Sequence, residues 1–421
     1  MIIRREDPRN YMHGRKRRSP LRSILLLTTI LMLGVYWWVQ NNPTQVEVMV
    51  LTALNRPPAP TPFASQWATD AANAFARGDL TVALTAYERA IAQQPNNVAY
   101  LYEYGKVLIE ADQSTRAAEI GDLAIVAAPL DVRGYSLKAN ALAYSDPTTA
   151  IILALQGEEF DPNFAPLYAA QAIANTGIYR YSQALAAGRR AIELDPADST
   201  VYRAYAWALI FVGQSVEAIE NLETSISLSP QLPGPYFQLA FEYKSRLDQP
   251  KMAIAIYQRI LTDLNPSPGD AAKANLRICE TYSTAENANF NLAEPYCSLA
   301  IEILPDYAPA WRELGRMQYL RRNYEGSIET FEHCVKLGSE EVACWMYRGL
   351  AHYWLAQCDD AWTVLNQAME MATTQEQESS IIGQIEIGIG NVKANCPDYR
   401  DAIVPTLPPP TLIPPTPIGG L

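Results

Sequence analysis

"WRELGRMQYL", residues 311–320, contains Trp311, Leu314, Gly315 and Tyr319, and it is followed by Ser327, Phe331 and Cys334. Either this is one helix with a buried tryptophan, or it is one copy of a unit stamped along the chain. The second reading requires a fixed period, and the prolines supply one. Pro95, Pro129, Pro162, Pro196, Pro230, Pro266 and Pro305 are spaced 34, 33, 34, 34, 36 and 39 residues apart. An aromatic residue keeps phase with them at Trp67, Tyr135, Tyr168, Tyr202, Tyr236, Trp311 and Trp345, and a small residue follows in most copies, as Ala83, Ala184, Ala218 and Ala361. Self-similarity at such a period marks a stack of supersecondary units, none of which buries its apolar face alone.

The pattern is similar to the tetratricopeptide repeat, W-x2-L-G-x2-Y then A-x3-F then P, with the tyrosine one place late and small residues standing in for alanine. The resemblance implies two antiparallel helices per unit. Small residues such as Gly105, Gly315 and Ala206 let the helix backbones approach, and the proline ends the second helix because it cannot donate an interior helix bond. The expected fold is all-α: a right-handed superhelical solenoid of about nine helix-turn-helix repeats over residues 64–374, closed by a capping helix over 375–396. Two units depart from the pattern. The seventh carries an insertion, "STAENANFN", between its helices and lacks the opening aromatic in "AAKANLRICETY", and the last has Ser339 where a border proline is expected.

Ahead of the repeats, "ILLLTTILMLGVYWWV", residues 24–39, carries no charge. With Ser23 and Gln40 it would reach roughly 27 Å as a helix, enough to cross a bilayer core. Eight basic and two acidic residues precede it, and Tyr36, Trp37 and Trp38 cluster at its far end. The expectation is a single transmembrane signal anchor over 23–40, with the basic segment 1–22 in the cytoplasm and the repeats outside the cell membrane. The competing reading is a cleaved signal peptide, although "VQNNPTQ" follows where a small-residue cleavage site would stand. No early cysteine is present to accept a lipid.

Residues 41–63 hold Pro57, Pro58, Pro60 and Pro62 in their second half and are expected to form a stiff spacer. Residues 397–421 form a second proline-rich segment, containing "VPTLPPPTLIPPTPIGGL", whose composition favours polyproline II. It reads either as a tail without a packed fold or as a ligand for another protein or for this chain's own groove.

The whole chain carries net −12, and because residues 1–22 carry +6 the remainder carries −18. An acidic exterior argues against nucleic acid as a partner, since phosphate binding needs a basic face.

All six cysteines fall after residue 278. An even number on an extracytoplasmic chain suggests disulfides, with fifteen connectivities open. The repeat arrangement that the resemblance implies narrows them to Cys279–Cys297 within one unit, Cys334–Cys344 across a unit boundary, and Cys358–Cys396 between the last unit and the cap; buried thiols in small-residue positions are the alternative. No C-x2-C occurs, and neither His333 nor His352 has recognisable metal-ligand spacing. No Ser-His-Asp or Cys-His set is apparent, "GIGNVK" near Gly388 lies in the expected cap rather than after a strand, and no cofactor motif is present. The sequence supports no enzyme.

What remains is a groove. The resemblance implies that the first helix of each unit lines the concave face through residues one, five and eight places after its opening position. Here these are Tyr102, Arg203, Trp207, Phe237, Phe241, Lys244, Arg312, Arg316, Met346 and Tyr353. Aromatic and arginine side chains dominate binding hot spots, so other proteins are the expected partners, bound as extended segments with apolar and acidic side chains. The family's clamp for a terminal carboxylate is not matched, since Ser136 precedes Asn140 and Ala170 follows. Expected, then, is a membrane-anchored scaffold; a wall- or glycan-binding module and an accessory subunit of an envelope enzyme complex are the alternatives.

Overall fold

The computed structural model describes residues 32–33, 36–38, 62–284, 288–375, 377 and 379–402. Residues 1–62 and 63–421 form two units. In the first, Met32, Leu33, Tyr36, Trp37 and Trp38 are helical; the rest of the expected anchor, most of the spacer and the tail beyond residue 402 lie outside the described residues. Among the described residues, no helix is long and apolar enough to cross a membrane.

The second unit is a ladder of paired helices. They run α1 Ala64–Ala76 and α2 Leu80–Gln93, α3 Val98–Glu110 and α4 Ser114–Ala127, α5 Val132–Leu142 and α6 Pro147–Glu158, α7 Ala165–Gly177 and α8 Tyr181–Leu194, and α9 Ser199–Phe211 and α10 Ser215–Leu228. The ladder continues with α11 Pro233–Ser245 and α12 Pro250–Asp263, α13 Pro268–Thr284 and α14 Phe290–Ile303, α15 Ala308–Leu320 and α16 Tyr324–Lys336, and α17 Val342–Trp354 and α18 Cys358–Thr374. The helix α19, Ser379–Asn395, and a short 3₁₀ turn, Pro397–Tyr399, follow.

The phase between border proline and opening aromatic has a local cause. Tyr135, Tyr168, Tyr202 and Tyr236 donate their hydroxyls to the carbonyls of Pro129, Pro162, Pro196 and Pro230 at 2.8–3.2 Å, and the Trp311 indole N–H donates to the Pro305 carbonyl at 2.8 Å. Each pair is six residues apart, so the aromatic satisfies a carbonyl that the end of the preceding helix leaves open. Two residues after the proline, Asn97, Asp131 and Asp198 cap the next helix by accepting from the backbone N–H two positions on. At the last border, where Ser339 replaces proline, Gly338 ends α16 at φ +75°, and the Gly338 and Ser339 N–H groups return to the carbonyls of Val335 and Cys334. A left-handed glycine thus does there what proline does elsewhere.

Within the pairs, a Cβ on Gly315 would come 2.9 Å from the Phe331 ring, which is the close approach read from the sequence. In the seventh pair, α13 extends to Thr284, two residues into the expected insertion, and Asn289 caps α14.

The turn inside most pairs carries one residue with positive φ. Glycine fills this place at Gly78 and Gly213, whereas Asp112, Tyr179, Asp248, Arg322 and Ala356 occupy it at φ between 50° and 62°. An L-residue there costs about 1 kcal/mol or more against its Cβ. Ala356→Gly should therefore raise stability by about 1 kcal/mol, read as a higher urea midpoint at an unchanged slope.

The chain also closes on itself early. Leu232, between the fifth and sixth pairs, packs among Ala71, Ala74 and Leu80 of the first pair. Gly78 lies so close to this loop that a Cβ on it would stand 2.8 Å from the Gln231 carbonyl oxygen. The far half is stapled instead. The structure pairs Cys279 with Cys297, Cys334 with Cys344 and Cys358 with Cys396, joining α13 to α14, α16 to α17 and α18 to the end of α19.

Candidate functional site

The early closure decides what the inner face of the first six pairs can do. Arg203, on α9, reaches across to Glu110 at the end of α3, with guanidinium–carboxylate distances of 2.7 and 2.8 Å; the Glu110 side chain is 6% exposed. Burial works against the charge of Arg203, and the adjacent Glu110 carboxylate more than offsets it, raising the guanidinium pKa. Lys273 on α13 binds Asp112 at 2.8 Å and covers the Phe237 ring at 4.9 Å.

Trp207 packs edge-on against Tyr144 at 5.3 Å and beside Phe211 at 4.9 Å. Tyr102 is buried beneath Phe164 and Lys106, and burial pushes its hydroxyl pKa up. Two cavities of about 210 and 230 Å³ remain, sharing Ile109, Glu110, Asn140 and Arg203 as their common wall. Four residues expected to line an open groove, Tyr102, Arg203, Trp207 and Phe237, are thus partners of other parts of the same chain. The closing contacts span up to 161 residues, a range that no local pattern encodes.

In the second half the expected residues separate into two groups. Arg312 and Arg316, on α15, are both engaged in ion pairs. Arg312 binds Glu341 and lies 3.5 Å from Glu280 on α13, which Arg277 also holds at 2.6 Å. Arg316 binds Glu313 at 2.6 Å and donates to the Ser283 hydroxyl oxygen at 2.9 Å, while that hydroxyl itself donates to Glu313. These links stitch one pair to the next. Met346 is buried in the last apolar cluster and lines no accessible face, because its position in α17 packs under α18 and α19. Tyr353 accepts a hydrogen bond from the Asn395 side chain at 2.9 Å.

Phe241 and Lys244, one turn apart on α11, are different. Phe241 is 43% exposed. Lys244 is half-buried and forms no ion pair among the described residues; burial lowers its ammonium pKa, with Glu280 and Glu313 acting in the opposite sense. These two side chains head a stripe whose other members, Arg277, Glu280, Arg312, Glu313 and Arg316, are charged and, together with Glu341, pair with one another. The Arg277–Glu280 and Glu313–Arg316 spacings are visible in the sequence as i,i+3 pairs. The link from Arg312 to Glu341, across 29 residues, is not.

The two helical histidines have structural places. His333 stacks on Trp311 at 4.6 Å, and His352 hydrogen-bonds to Gln357. Gly388 lies in α19 against Leu350 and Leu365 and serves helix packing there, whereas a Cβ on Gly390 would meet nothing within 4 Å.

Compared with known proteins, residues 71–132 match the family described as the tetratricopeptide repeat. No curated protein matches the chain. Among solved structures, the yeast Tom70 is similar with a TM-score of 0.51 at 13% identity, over 82% of this chain and 92% of that one. PilW, described as a widely conserved type IV pilus biogenesis factor, matches at 0.44 and 17% over 53% and 98%. TTC0263, a thermophilic repeat protein of Thermus thermophilus, matches at 0.36 and 18% over 46% and 99%.

Proposed function

We propose that this chain, whose residues 71–132 match the tetratricopeptide repeat family and whose fold is similar to that of the yeast Tom70, is a membrane-tethered scaffold that binds extended segments of other proteins outside the cytoplasm. The observation that carries the reading is the pair Phe241 and Lys244: an exposed aromatic ring beside a half-buried ammonium group with no ion-pair partner among the described residues. A segment with an apolar side chain followed by a carboxylate would cover the ring and supply the missing counter-charge. The neighbouring arginines, already paired, hold the register of the pairs, while Lys244 has no ion pair among the described residues.

Three observations support the location. The uncharged stretch 24–39 follows a basic segment of net +6, which favours a helix with that segment on the cytoplasmic side. The three disulfides suit an oxidising compartment. The prolines at 57, 58, 60 and 62 suit a spacer between membrane and repeats.

Photo-crosslinking tests the binding. With a benzophenone side chain at position 241 of the full-length protein in its own membrane, a discrete protein should be captured. Lys244→Glu should cut its yield about tenfold, the loss of one charge pair of about 1.4 kcal/mol, while Lys336→Glu on the surface should not. Capture that is unchanged in Lys244→Glu would remove acidic-segment recognition. Alkaline washing of the same membranes should leave the protein in the pellet, and its release would sink the anchor.

A further inference from the structure

The proline-rich segment has no part in that reading, yet the structure fixes where it starts. The disulfide Cys358–Cys396 ties the end of α19 to the beginning of α18. Tyr399 donates its hydroxyl to Asp359 at 2.7 Å and stacks on Trp362 at 5.0 Å. Asn395 donates to the Tyr353 hydroxyl oxygen at 2.9 Å. Together these hold the chain at residue 402 beside the turn that joins α17 to α18.

That same edge carries an open aromatic surface. Trp354, the last residue of α17, lies parallel to Tyr324 at 5.9 Å, and its indole N–H donates to the Tyr319 hydroxyl at 3.0 Å. Tyr353 meets it edge-on at 5.4 Å. Trp354 is 55% exposed and Leu320, at the end of the neighbouring α15, is 44% exposed. The rings are held in place by one another and by the helices, so little side-chain freedom is lost when something covers them.

The segment that leaves this edge has matching chemistry. Residues 403–421 contain no charged side chain and seven prolines, Pro405, Pro408, Pro409, Pro410, Pro414, Pro415 and Pro417. Polyproline conformation is preorganised, exposes unpaired carbonyls, and docks on rigid aromatic surfaces that bring hydroxyl or indole donors. We propose that residues 404–418 fold back onto the Tyr319, Leu320, Tyr324 and Trp354 edge of their own chain as an extended proline-rich strand. The attachment a few residues away gives an effective concentration in the millimolar range, so weak intrinsic contacts suffice. The last pairs of the solenoid thereby carry a built-in cover, distinct from the Phe241–Lys244 position.

Hydroxyl-radical footprinting of the full-length protein tests this. In a variant carrying Pro408→Ser, Pro409→Ser, Pro410→Ser, Pro414→Ser and Pro415→Ser, Trp354 and Tyr324 should be labelled at least about threefold faster than in the parent, as expected when an intramolecular cover is lost. Tyr179, 77% exposed elsewhere in the solenoid, should be labelled at the same rate in both. A synthetic peptide of residues 404–418 added to the variant should restore the slow rate at Trp354, and Trp354→Ala should abolish the protection of Leu320. Equal labelling of Trp354 in parent and variant would overturn the proposal. So would protection that disappears on dilution, which would assign the edge to the segment of a second copy, or a peptide that leaves labelling of the variant unchanged.

Discussion

Glu110→Ala is expected to destabilise the protein by about 3–5 kcal/mol, the cost of leaving one member of a buried ion pair unpaired. Arg203 keeps its charge in the mutant, because an arginine buried in this way has no accessible neutral form. It would face Tyr144, Asn140 and a cavity wall from which its counter-charge has gone. Urea denaturation followed by near-ultraviolet circular dichroism measures the loss. The companion double mutant Glu110→Leu, Arg203→Met removes both charges and should recover most of it, since apolar replacement of a buried pair is often neutral or stabilising. A loss below about 1 kcal/mol in Glu110→Ala would mean that the pair behaves like an exposed one and that the closure is held elsewhere. Because Lys273–Asp112 ties α13 to the turn just after Glu110, the mutation should also raise hydrogen exchange in α13 more than in α17.

The second large effect is expected at the other end of the chain. Replacing Cys358 and Cys396 together by serine opens a loop of sequence separation 38, the longest of the three. On the chain-entropy relation the loss is about 4 kcal/mol, against roughly 3 kcal/mol each for the other two bridges. The damage should be local: α19 and the 3₁₀ turn should lose protection from exchange, while the first six pairs keep theirs, since each pair packs mainly on its neighbours. If the three bridges proved interchangeable in effect, loop closure would not be the operative term. A map of the unreduced protein showing free thiols at Cys358 and Cys396 would remove the bridge itself.

The two effects show how differently the halves are held. Pairs one to six are closed by contacts such as Leu232 against Ala71 and Arg203 against Glu110, and pairs seven to nine are stapled by sulfur. The cysteine pairing was legible in the sequence because each bridge joins elements adjacent in the repeat order. The neutralised arginines were not. Arg312 looks like a groove residue from its place in α15, and only the neighbouring unit supplies Glu341.

What the sequence determined by itself was the framework set by near neighbours along the chain: the helix pairs, the phase between border proline and opening aromatic, and the small-residue contacts. Each of these follows from a relation within about forty residues, such as the six-residue hydrogen bond from Tyr168 to Pro162 or the packing of Gly315 on Phe331. What only the tertiary structure decided was which concave residues stay free. Small rotations between successive pairs accumulate along a solenoid, and their sum brings Gly78 against Gln231 and Asp112 against Lys273. No single repeat contains that sum, so Arg203 and Lys244, both groove positions by the repeat pattern, end as a buried closing bond and a cation without an ion-pair partner among the described residues.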